Sequence, residues 1–175
     1  MKMEALEVLK NRRSIRKYKP DQITDEELTA VLDAGTFGAT GMGAQSPTIV
    51  AVQKPETVRL LNKLNAIIMG KPEAMPYYGA PTILLTFASS KAVTPDEDAI
   101  IVASNMLNAA YAAGLGSCWI NRSRQMFETE QGKKLKAEWG IPEDAYCMSS
   151  ISLGYADCEH PEAKPRKEGY YRIIK

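Results

Sequence analysis

The chain has 175 residues, of which 45% are hydrophobic, and its 22 lysine and arginine residues against 21 aspartate and glutamate residues give a net charge of +1. This length favours one domain with a substantial core. The near-neutral charge argues against a nucleic-acid binder that works through bulk electrostatics. The three cysteines, Cys118, Cys147 and Cys158, lack the number and spacing of a disulfide framework or a zinc site.

Nothing in the sequence indicates a targeting or membrane segment. Residues 1–7 lack the apolar core of a signal peptide. No apolar run reaches the roughly 18 residues of a membrane span. None of the cysteines belongs to a CxxC motif, so we expect free thiols in a reducing, cytoplasmic protein.

The first part of the chain is predicted to contain two helices joined by an irregular link. An apolar stripe predicts a helix over residues 3–11, and Pro20 excludes helix continuity at the end of the link. Thr24 and Glu27 have the spacing of a capping box. They open a second helix that we expect to run to about Gly35.

Residues 35–43 contain four glycines, which predicts a loop with unusual backbone angles or a close approach to another group. The β-branched run 48–52 predicts a strand, and Pro55 marks the first turn of the next helix. Residues 70–81 contain two glycines and three prolines, and we expect a mobile loop there. Residues 82–87 form an apolar strand that is expected to be central in the sheet.

The loop 70–81 also carries three large side chains, Met75, Tyr77 and Tyr78. Two interpretations are open for them. They shape a ligand pocket, or they pack the loop onto the core.

The longest predicted helix runs from Thr94 to about Ala113 and is rich in alanine. Small residues on several of its faces indicate a buried helix, which leaves open an ordinary core helix or a helix at a subunit interface. A strand over 117–120, a helix over 124–139 and a strand over 147–153 follow.

From Gly154 onward the chain is polar and interrupted by prolines, and it ends in an apolar segment, 170–174, that we interpret as a possible strand. A polar arm with an apolar tip is expected to reach a partner subunit. The whole pattern predicts an α+β or α/β sandwich with about four core strands.

The familiar catalytic motifs are missing. The only histidine, His160, lies in the polar arm, so we expect an exposed surface residue and no histidine-based catalytic or metal site. The sequence lacks a phosphate-binding P-loop, and residues 114–119 lack the third glycine and the preceding strand of a dinucleotide-binding fingerprint.

Two basic segments remain, at residues 12–17 and 164–167. The first is either a solvated turn or, together with the second, a set of charge-assisted donors for a phosphate. A phosphate site beside a glycine-rich loop, without acid–base residues, is typical of a protein whose cofactor performs the chemistry.

Four segments in order resemble the nitroreductase family of FMN-dependent oxidoreductases. Residues 12–16 resemble its R-x-S-x-[RK] signature, residues 39–47 its loop of the type A-P-[ST]-[SG]-x-N-x-Q-x-[PW], residues 114–120 the segment that closes its central helix, and residues 164–166 its C-terminal K-x-R. The resemblance covers nearly the whole chain. It departs at Gly43, where the family usually has asparagine, and at Thr40, which follows alanine where an Ala-Pro pair is common.

The resemblance implies a single domain over residues 1–175 with a three-layer sandwich fold. A central mixed β-sheet is expected between layers of helices, and residues 155–175 are expected to extend onto the partner of a homodimer. FMN would bind at the subunit interface, and NADH or NADPH would be the electron donor. No metal, nucleic acid or membrane is implied.

The resemblance also implies which residues hold the cofactor. The implied phosphate and ribityl contacts are Arg12, Ser14, Lys164 and Arg166, and Arg13 is expected to contribute mainly backbone. Arg16 would lie beside the N1–O2 edge of the flavin, and the backbone around Ile120 and Asn121 would face its N5. Thr40, Gly41, Met42 and Gln45 would contact FMN from the partner subunit, and Asn65 is a further candidate contact.

No catalytic side chain is implied, because the flavin does the chemistry. The resemblance implies an oxidoreductase that passes hydride from NAD(P)H through flavin N5 to nitroaromatics, quinones or similar acceptors by a ping-pong mechanism. The absent asparagine at Gly43 keeps open a non-enzymatic FMN-binding or flavin-sensing module. A phosphate-binding interaction protein unrelated to flavin is a third hypothesis.

Overall fold

The computed structural model of the protein describes residues 4–175, so Met3, the first residue of the predicted N-terminal helix, lies outside the described residues. The helices are α1 (Ala5–Asn11), α2 (Asp25–Thr36), α3 (Pro55–Ile68), α4 (Pro95–Ala112), α5 (Ser123–Glu128) and α6 (Glu130–Glu138). The strands are β1 (Thr48–Val52), β2 (Thr82–Ser89), β3 (Gly116–Ile120) and β4 (Ala145–Gly154). Each predicted strand of the core is therefore present, with bounds within two residues of the prediction.

The four strands form one sheet in the order β1-β2-β4-β3. All three neighbouring pairs are antiparallel, because β4 returns between β2 and β3 and runs against both. In the part of the chain that the structure describes, the only parallel pairing is the isolated bridge between Ser14 and Ser117. The predicted α+β class is thus confirmed. The mixed sheet that was expected is not formed by the four strands of a single chain, since their pairings are all antiparallel.

Helices cover both faces of the sheet and complete the three layers. On one face, an apolar cluster around Leu85 and Phe87 of β2 includes residues of α3, α5 and α6. On the other face, Leu84 of β2 packs in a second cluster with residues of α2 and α4. Successive residues of β2 point to opposite faces, which explains why this strand is apolar throughout and central.

The capping box predicted at the start of α2 is present. The Glu27 amide donates to Thr24 Oγ1 over 3.2 Å, and the Thr24 amide donates to a Glu27 carboxylate oxygen over 2.9 Å. Both of these amide donors lack partners within the helix.

The single helix predicted over 124–139 is wrong, because α5 ends and α6 begins at Thr129. The Thr129 hydroxyl donates to the Met126 carbonyl oxygen, and it accepts from the amide of Gly132, so it caps the second helix. A Cβ on Gly132 would lie 2.1 Å from the Met126 carbonyl oxygen. This close approach needs glycine and redirects the chain.

The C-terminal arm begins against its own chain and then leaves it. Tyr18 pairs with Ala156, and the Lys17 ammonium lies 2.8 Å from the Asp157 carboxylate. Beyond these contacts the arm is exposed. The strand considered for 170–174 is absent, because that segment has no strand of its own chain to pair with.

None of the helices in residues 4–175 is long and apolar enough to cross a membrane.

Candidate functional site

The link between α1 and α2 is fixed to the outer edge of β3. The Ile15 amide donates to the Ser117 carbonyl oxygen over 3.0 Å, and the Ile15 side chain is buried. The buried Tyr18 hydroxyl donates to the Ile15 carbonyl oxygen over 2.8 Å and lies 2.9 Å from Ser152 Oγ. The backbone of the basic segment 12–17 is therefore fixed beside the sheet and does not form an unattached turn in solvent.

The basic side chains of this segment differ in their surroundings. The Arg13 guanidinium donates to the carbonyl oxygens of Lys10 and Arg12, at 2.8 and 2.7 Å, so it holds the end of α1. Arg12 is half-buried and Arg16 is exposed. Within residues 4–175, neither of these two side chains forms a hydrogen bond or salt bridge, so both are available to an anion.

Two buried polar atoms next to Ser14 have no hydrogen-bond partner among the described residues. They are Arg13 Nε and Ser117 Oγ. Buried polar groups are nearly always paired. Thr86 Oγ1 and Ser149 Oγ, on β2 and β4, are likewise unpaired among the described residues, but Arg13 Nε and Ser117 Oγ lie beside the basic segment, where a polar ligand could pair with them.

The backbone of β3 aims the Asn121 amide at the same outer edge. Ser150 and Ser152 donate from their hydroxyls to the carbonyl oxygens of Ile120 and Cys118, so those carbonyls face β4. The Ser117 carbonyl, in contrast, faces the link. Because backbone groups alternate in direction along a strand, the amide of Asn121 points to the outer edge, roughly 13 Å beyond Ser117. No hydrogen bond from this amide is found within residues 4–175.

A buried chain of hydroxyls fixes the peptide that carries this amide. The Tyr77 hydroxyl donates to Ser150 Oγ over 3.1 Å, and Ser150 Oγ donates to the Ile120 carbonyl oxygen over 3.0 Å. Burial raises the pKa of Tyr77, which keeps its hydroxyl protonated as a donor. The Ile120–Asn121 peptide is thus held from the side opposite to its free N–H.

Asn65 supports the same turn from α3, but its amide is already occupied. Its Nδ2 donates to the Asn121 carbonyl oxygen over 2.9 Å, and its Oδ1 accepts from Arg122 Nε over 3.0 Å. The side chain is fully buried. This geometry favours a positioning role over the cofactor contact predicted from the sequence. Arg122 was not singled out in the sequence, since nothing local marks it.

The glycine-rich loop is organised by Asp98, a residue of α4 that sequence reasoning missed. The buried carboxylate accepts hydrogen bonds from the Gly41 amide over 2.9 Å, from Ser46 Oγ over 2.8 Å and from Thr94 Oγ1 over 2.7 Å. Thr94 precedes α4, and its hydroxyl donates to Asp98 and makes no capping hydrogen bond to the helix backbone. An acidic residue in the first turn of a helix was the available signal.

The loop itself is tightly constrained. A Cβ on Gly41 would lie 2.2 Å from Thr94 Oγ1, so glycine is required there by close approach. Met42 and Gln45 adopt left-handed backbone angles, with φ of 56° and 50°. The Gln45 amide donates to Thr40 Oγ1 over 3.0 Å. Met42 is 91% exposed, so the loop presents an apolar side chain to solvent.

The Asp98 cluster makes the stability of the loop depend on pH. Burial acts to raise the pKa of Asp98, but the hydrogen bonds from Thr94, Gly41 and Ser46 outweigh it and hold the pKa below its ordinary value of 3.8. The stabilisation is therefore complete above that value and is lost as the pH falls through the lower folded-state pKa. We expect Asp98→Asn to remove this acid-sensitive part of the free energy of unfolding.

Urea denaturation at pH 7 and pH 3 measures this effect. Wild type is expected to lose more stability between the two pH values than Asp98→Asn. Asp33→Asn, which changes an exposed carboxylate of α2 without a side-chain hydrogen bond among the described residues, serves as the control. Equal losses in wild type and Asp98→Asn would contradict the role of the carboxylate.

The basic segment and the glycine-rich loop lie at opposite corners of the sheet. Ser117, beside the basic segment, pairs with Leu153, which pairs with Thr82. Thr48 follows the loop and lies on the far strand, β1, where it pairs with Phe87 of β2. Five residues along β2 and three strand spacings separate the two corners by roughly 20 to 25 Å. One chain therefore does not bring both segments to one small ligand.

The tail pair, Lys164 and Arg166, is not joined to the basic segment by any hydrogen bond or salt bridge of the described chain. Arg166 donates instead to the Lys164 carbonyl oxygen. The arm nevertheless passes the segment, since the exposed His160 lies 2.8 Å from the Asn11 carbonyl oxygen. Lys164 follows His160 by four residues and Arg166 follows it by six, which places them at most roughly 13 and 20 Å further along an extended chain.

The three side chains of loop 70–81 divide between the two interpretations. Tyr77 is a core residue, as described above. Met75 and Tyr78 are partly exposed, and Tyr78 has a left-handed φ of 56°. These two residues line a cavity with Asn121 and Arg122.

No group of metal-ligating side chains is found within residues 4–175.

Comparison with known proteins places these features in one family. A family model described as "Nitroreductase family" matches residues 9–155. A relative from Methanothermobacter thermautotrophicus, described as "Putative NADH dehydrogenase/NAD(P)H nitroreductase", is 32% identical over 162 residues, covering 88% of this chain and 78% of the relative. The NADPH-flavin oxidoreductase of Vibrio harveyi is 25% identical over 177 residues, covering 92% of this chain and 69% of the relative.

Solved structures agree with this result. The crystal structure of a nitroreductase with bound FMN from Bacteroides fragilis superimposes with a TM-score of 0.89 at 26% identity. The match covers 99% of this chain and 100% of that one.

Proposed function

The chain belongs to the nitroreductase family, and from this premise we propose that it is an FMN-dependent oxidoreductase that uses NAD(P)H to reduce small acceptors such as nitroaromatics and quinones. One observation carries the proposal beyond membership of the family. The outer edge of β3 has at one end two cations, Arg12 and Arg16, that have no side-chain partner among residues 4–175. At the other end it has the Asn121 amide, which points outward.

The residues present fit FMN. Arg12, Ser14, Lys164 and Arg166 supply donors for the phosphate, and arginine is suited to bidentate contact with phosphate oxygens. The unpaired buried atoms Arg13 Nε and Ser117 Oγ, beside Ser14, are the further polar groups that such a ligand would satisfy.

FMN, when bound, supplies the redox chemistry by taking hydride from NAD(P)H at N5 and returning it to the acceptor. The chain's own residues orient the ring and balance its charge. The Asn121 amide, held in direction by Ser150 and Tyr77 through the Ile120 carbonyl, would be the donor to N5. Arg16 would supply the cation for the N1–O2 edge, where negative charge develops.

No side-chain acid or base is required of this chain. NAD(P)H and the acceptor would use the same exposed face of the ring in turn, which gives a ping-pong mechanism.

The expected result for the purified protein is a yellow holoprotein that bleaches when NADH or NADPH is added without oxygen. Addition of a nitroaromatic or quinone is then expected to restore the colour. The measurement is anaerobic absorbance at 450 nm, roughly where oxidised flavin absorbs, with reductant-free protein as the control. The proposal is wrong if the purified protein neither carries nor takes up FMN. A yellow protein that NAD(P)H does not reduce indicates the non-enzymatic flavin-binding module instead.

We place the complete site at the interface of a homodimer, with the glycine-rich loop of one subunit meeting the basic segment of the other. The opposite-corner arrangement within one chain supports this. So do large apolar side chains left exposed on α1, the loop, α4 and the arm, namely Leu6, Leu9, Phe37, Met42, Ile100, Ile101, Tyr170, Tyr171, Ile173 and Ile174. Such patches mark interaction surfaces. The arm, 155–175, would extend over the partner.

A further inference from the structure

The turn after β3 presents one cation to a small, mostly apolar cavity. The cavity has a volume of about 350 Å³, and its wall includes Met75, Pro76, Tyr78 and Trp119. Among the described residues, Arg122 is the only charged one in that wall. An apolar cavity with one fixed cation suits a ligand that has a flat apolar body and a single anionic group.

The Arg122 guanidinium is aimed by a fully buried amide. Its Nε donates to Asn65 Oδ1 over 3.0 Å, and Asn65 is itself held by the Asn121 carbonyl oxygen. No other hydrogen bond and no carboxylate within salt-bridge distance is found for the guanidinium within residues 4–175. Its terminal nitrogens are therefore free to donate, and they belong to a half-buried side chain whose direction is set.

Two residues with left-handed backbone angles lie at the same cavity. In the described chain, four residues other than glycine have a left-handed φ: Met42, Gln45, Tyr78 and Arg122. Two of them, Tyr78 and Arg122, line this cavity. Such conformations persist where the surrounding structure enforces them, and they gather at functional sites.

We infer that this cavity selects electron acceptors that carry a carboxylate, with Arg122 as the residue that determines this specificity. The inference rests on the proposed function, since it names the acceptor class of that same site. The cavity adjoins Asn121, the end of β3 at which the redox ring is proposed to lie. Its volume suits one substituted ring and not the linked phosphates of a dinucleotide, so the anion belongs to the acceptor.

The test compares 4-nitrobenzoate with its neutral counterpart 4-nitrobenzamide as acceptors for the holoenzyme. Wild type is expected to reduce the carboxylate with a kcat/KM on the order of 10-fold higher. Relative to wild type, Arg122→Gln is expected to lower the ratio of kcat/KM for 4-nitrobenzoate to kcat/KM for 4-nitrobenzamide roughly 10- to 100-fold, since a charge-assisted hydrogen bond is lost. Arg124→Gln is the matched control, because that guanidinium lies 4.4 Å from the Tyr146 ring centroid, outside the cavity.

Binding of benzoate and benzamide, measured by equilibrium dialysis, gives a readout that needs no turnover. Arg122→Gln is expected to weaken benzoate binding alone. Equal losses on the charged and neutral acceptors would overturn the inference. The inference would also be overturned if Arg122→Gln raised the KM for NAD(P)H and kept the preference for 4-nitrobenzoate. That result would assign Arg122 to the phosphates of NAD(P)H. If the proposed function itself is wrong, neither acceptor is reduced, and benzoate binding still decides the role of Arg122.

Discussion

Replacing Arg12 by alanine is expected to weaken FMN binding on the order of 10- to 100-fold, because a charge-assisted contact to phosphate contributes about 1.5 to 3 kcal/mol. The side chain forms no hydrogen bond or salt bridge within residues 4–175, so the fold does not depend on it. We expect the free energy of unfolding of the apoprotein to change by less than about 0.5 kcal/mol. Fluorescence titration of apoprotein with FMN measures the Kd.

Arg16→Ala is expected to behave differently. Loss of a cation beside the ring lowers the midpoint potential of bound FMN, by about 30 mV for each tenfold loss of preference for the reduced form, and changes the Kd of oxidised FMN less. Lys17→Ala is the matched control, since it removes the same charge from the same segment but its ammonium is paired with Asp157 on the surface. Equal effects of Arg12→Ala and Arg16→Ala on affinity and potential would show this division of roles to be wrong.

Combining two variants with impaired FMN binding in one dimer is expected to restore FMN binding if each site is shared between subunits. Arg12→Ala damages the basic segment. Gly41→Ala damages the loop, because its Cβ would lie 2.2 Å from Thr94 Oγ1. In a heterodimer of the two, one site combines the intact segment of one subunit with the intact loop of the other. Random 1:1 assembly restores about one quarter of the sites.

The measurement is FMN content and NAD(P)H oxidation after co-expression of differently tagged variants and purification through both tags. The selected heterodimers are then expected to have about half of their sites intact. Each variant expressed alone with both tags is the control. No recovery in a confirmed heterodimer would mean that the site lies within one chain, and it would refute the interface arrangement.

Local sequence signals predicted the elements well where one local interaction decides them. Thr24 and Glu27 form the predicted capping box, and the apolar run in β2 is a central strand. The helix predicted over 124–139 is wrong, although the contacts that divide it join residues only three to six positions apart. Apolar residues lie on both sides of Thr129, but the hydroxyl of that residue and the close packing of Gly132 against Met126 divide the helix.

The candidate site shows the same limit. The basic segment and the glycine-rich loop were predicted from their residue types and order, and the Ile120–Asn121 turn was predicted from the family resemblance. Asp98 and Arg122 were not, since an acidic residue in a helix and an arginine in a turn are common in any sequence. Their importance arises from contacts with residues 57 positions away, Gly41 and Asn65 respectively.

The sequence by itself determined the class of fold and the family resemblance, and it predicted the segments that would hold a phosphate-bearing cofactor, because these depend on residue type and on spacing along the chain. Only the tertiary structure decided how those segments are arranged. The pairing of β3 with β4 directs the Asn121 amide outward, and the strand order β1-β2-β4-β3 puts the loop and the basic segment at opposite corners. Strand order and hydrogen-bond direction depend on contacts between distant residues, which local patterns do not encode.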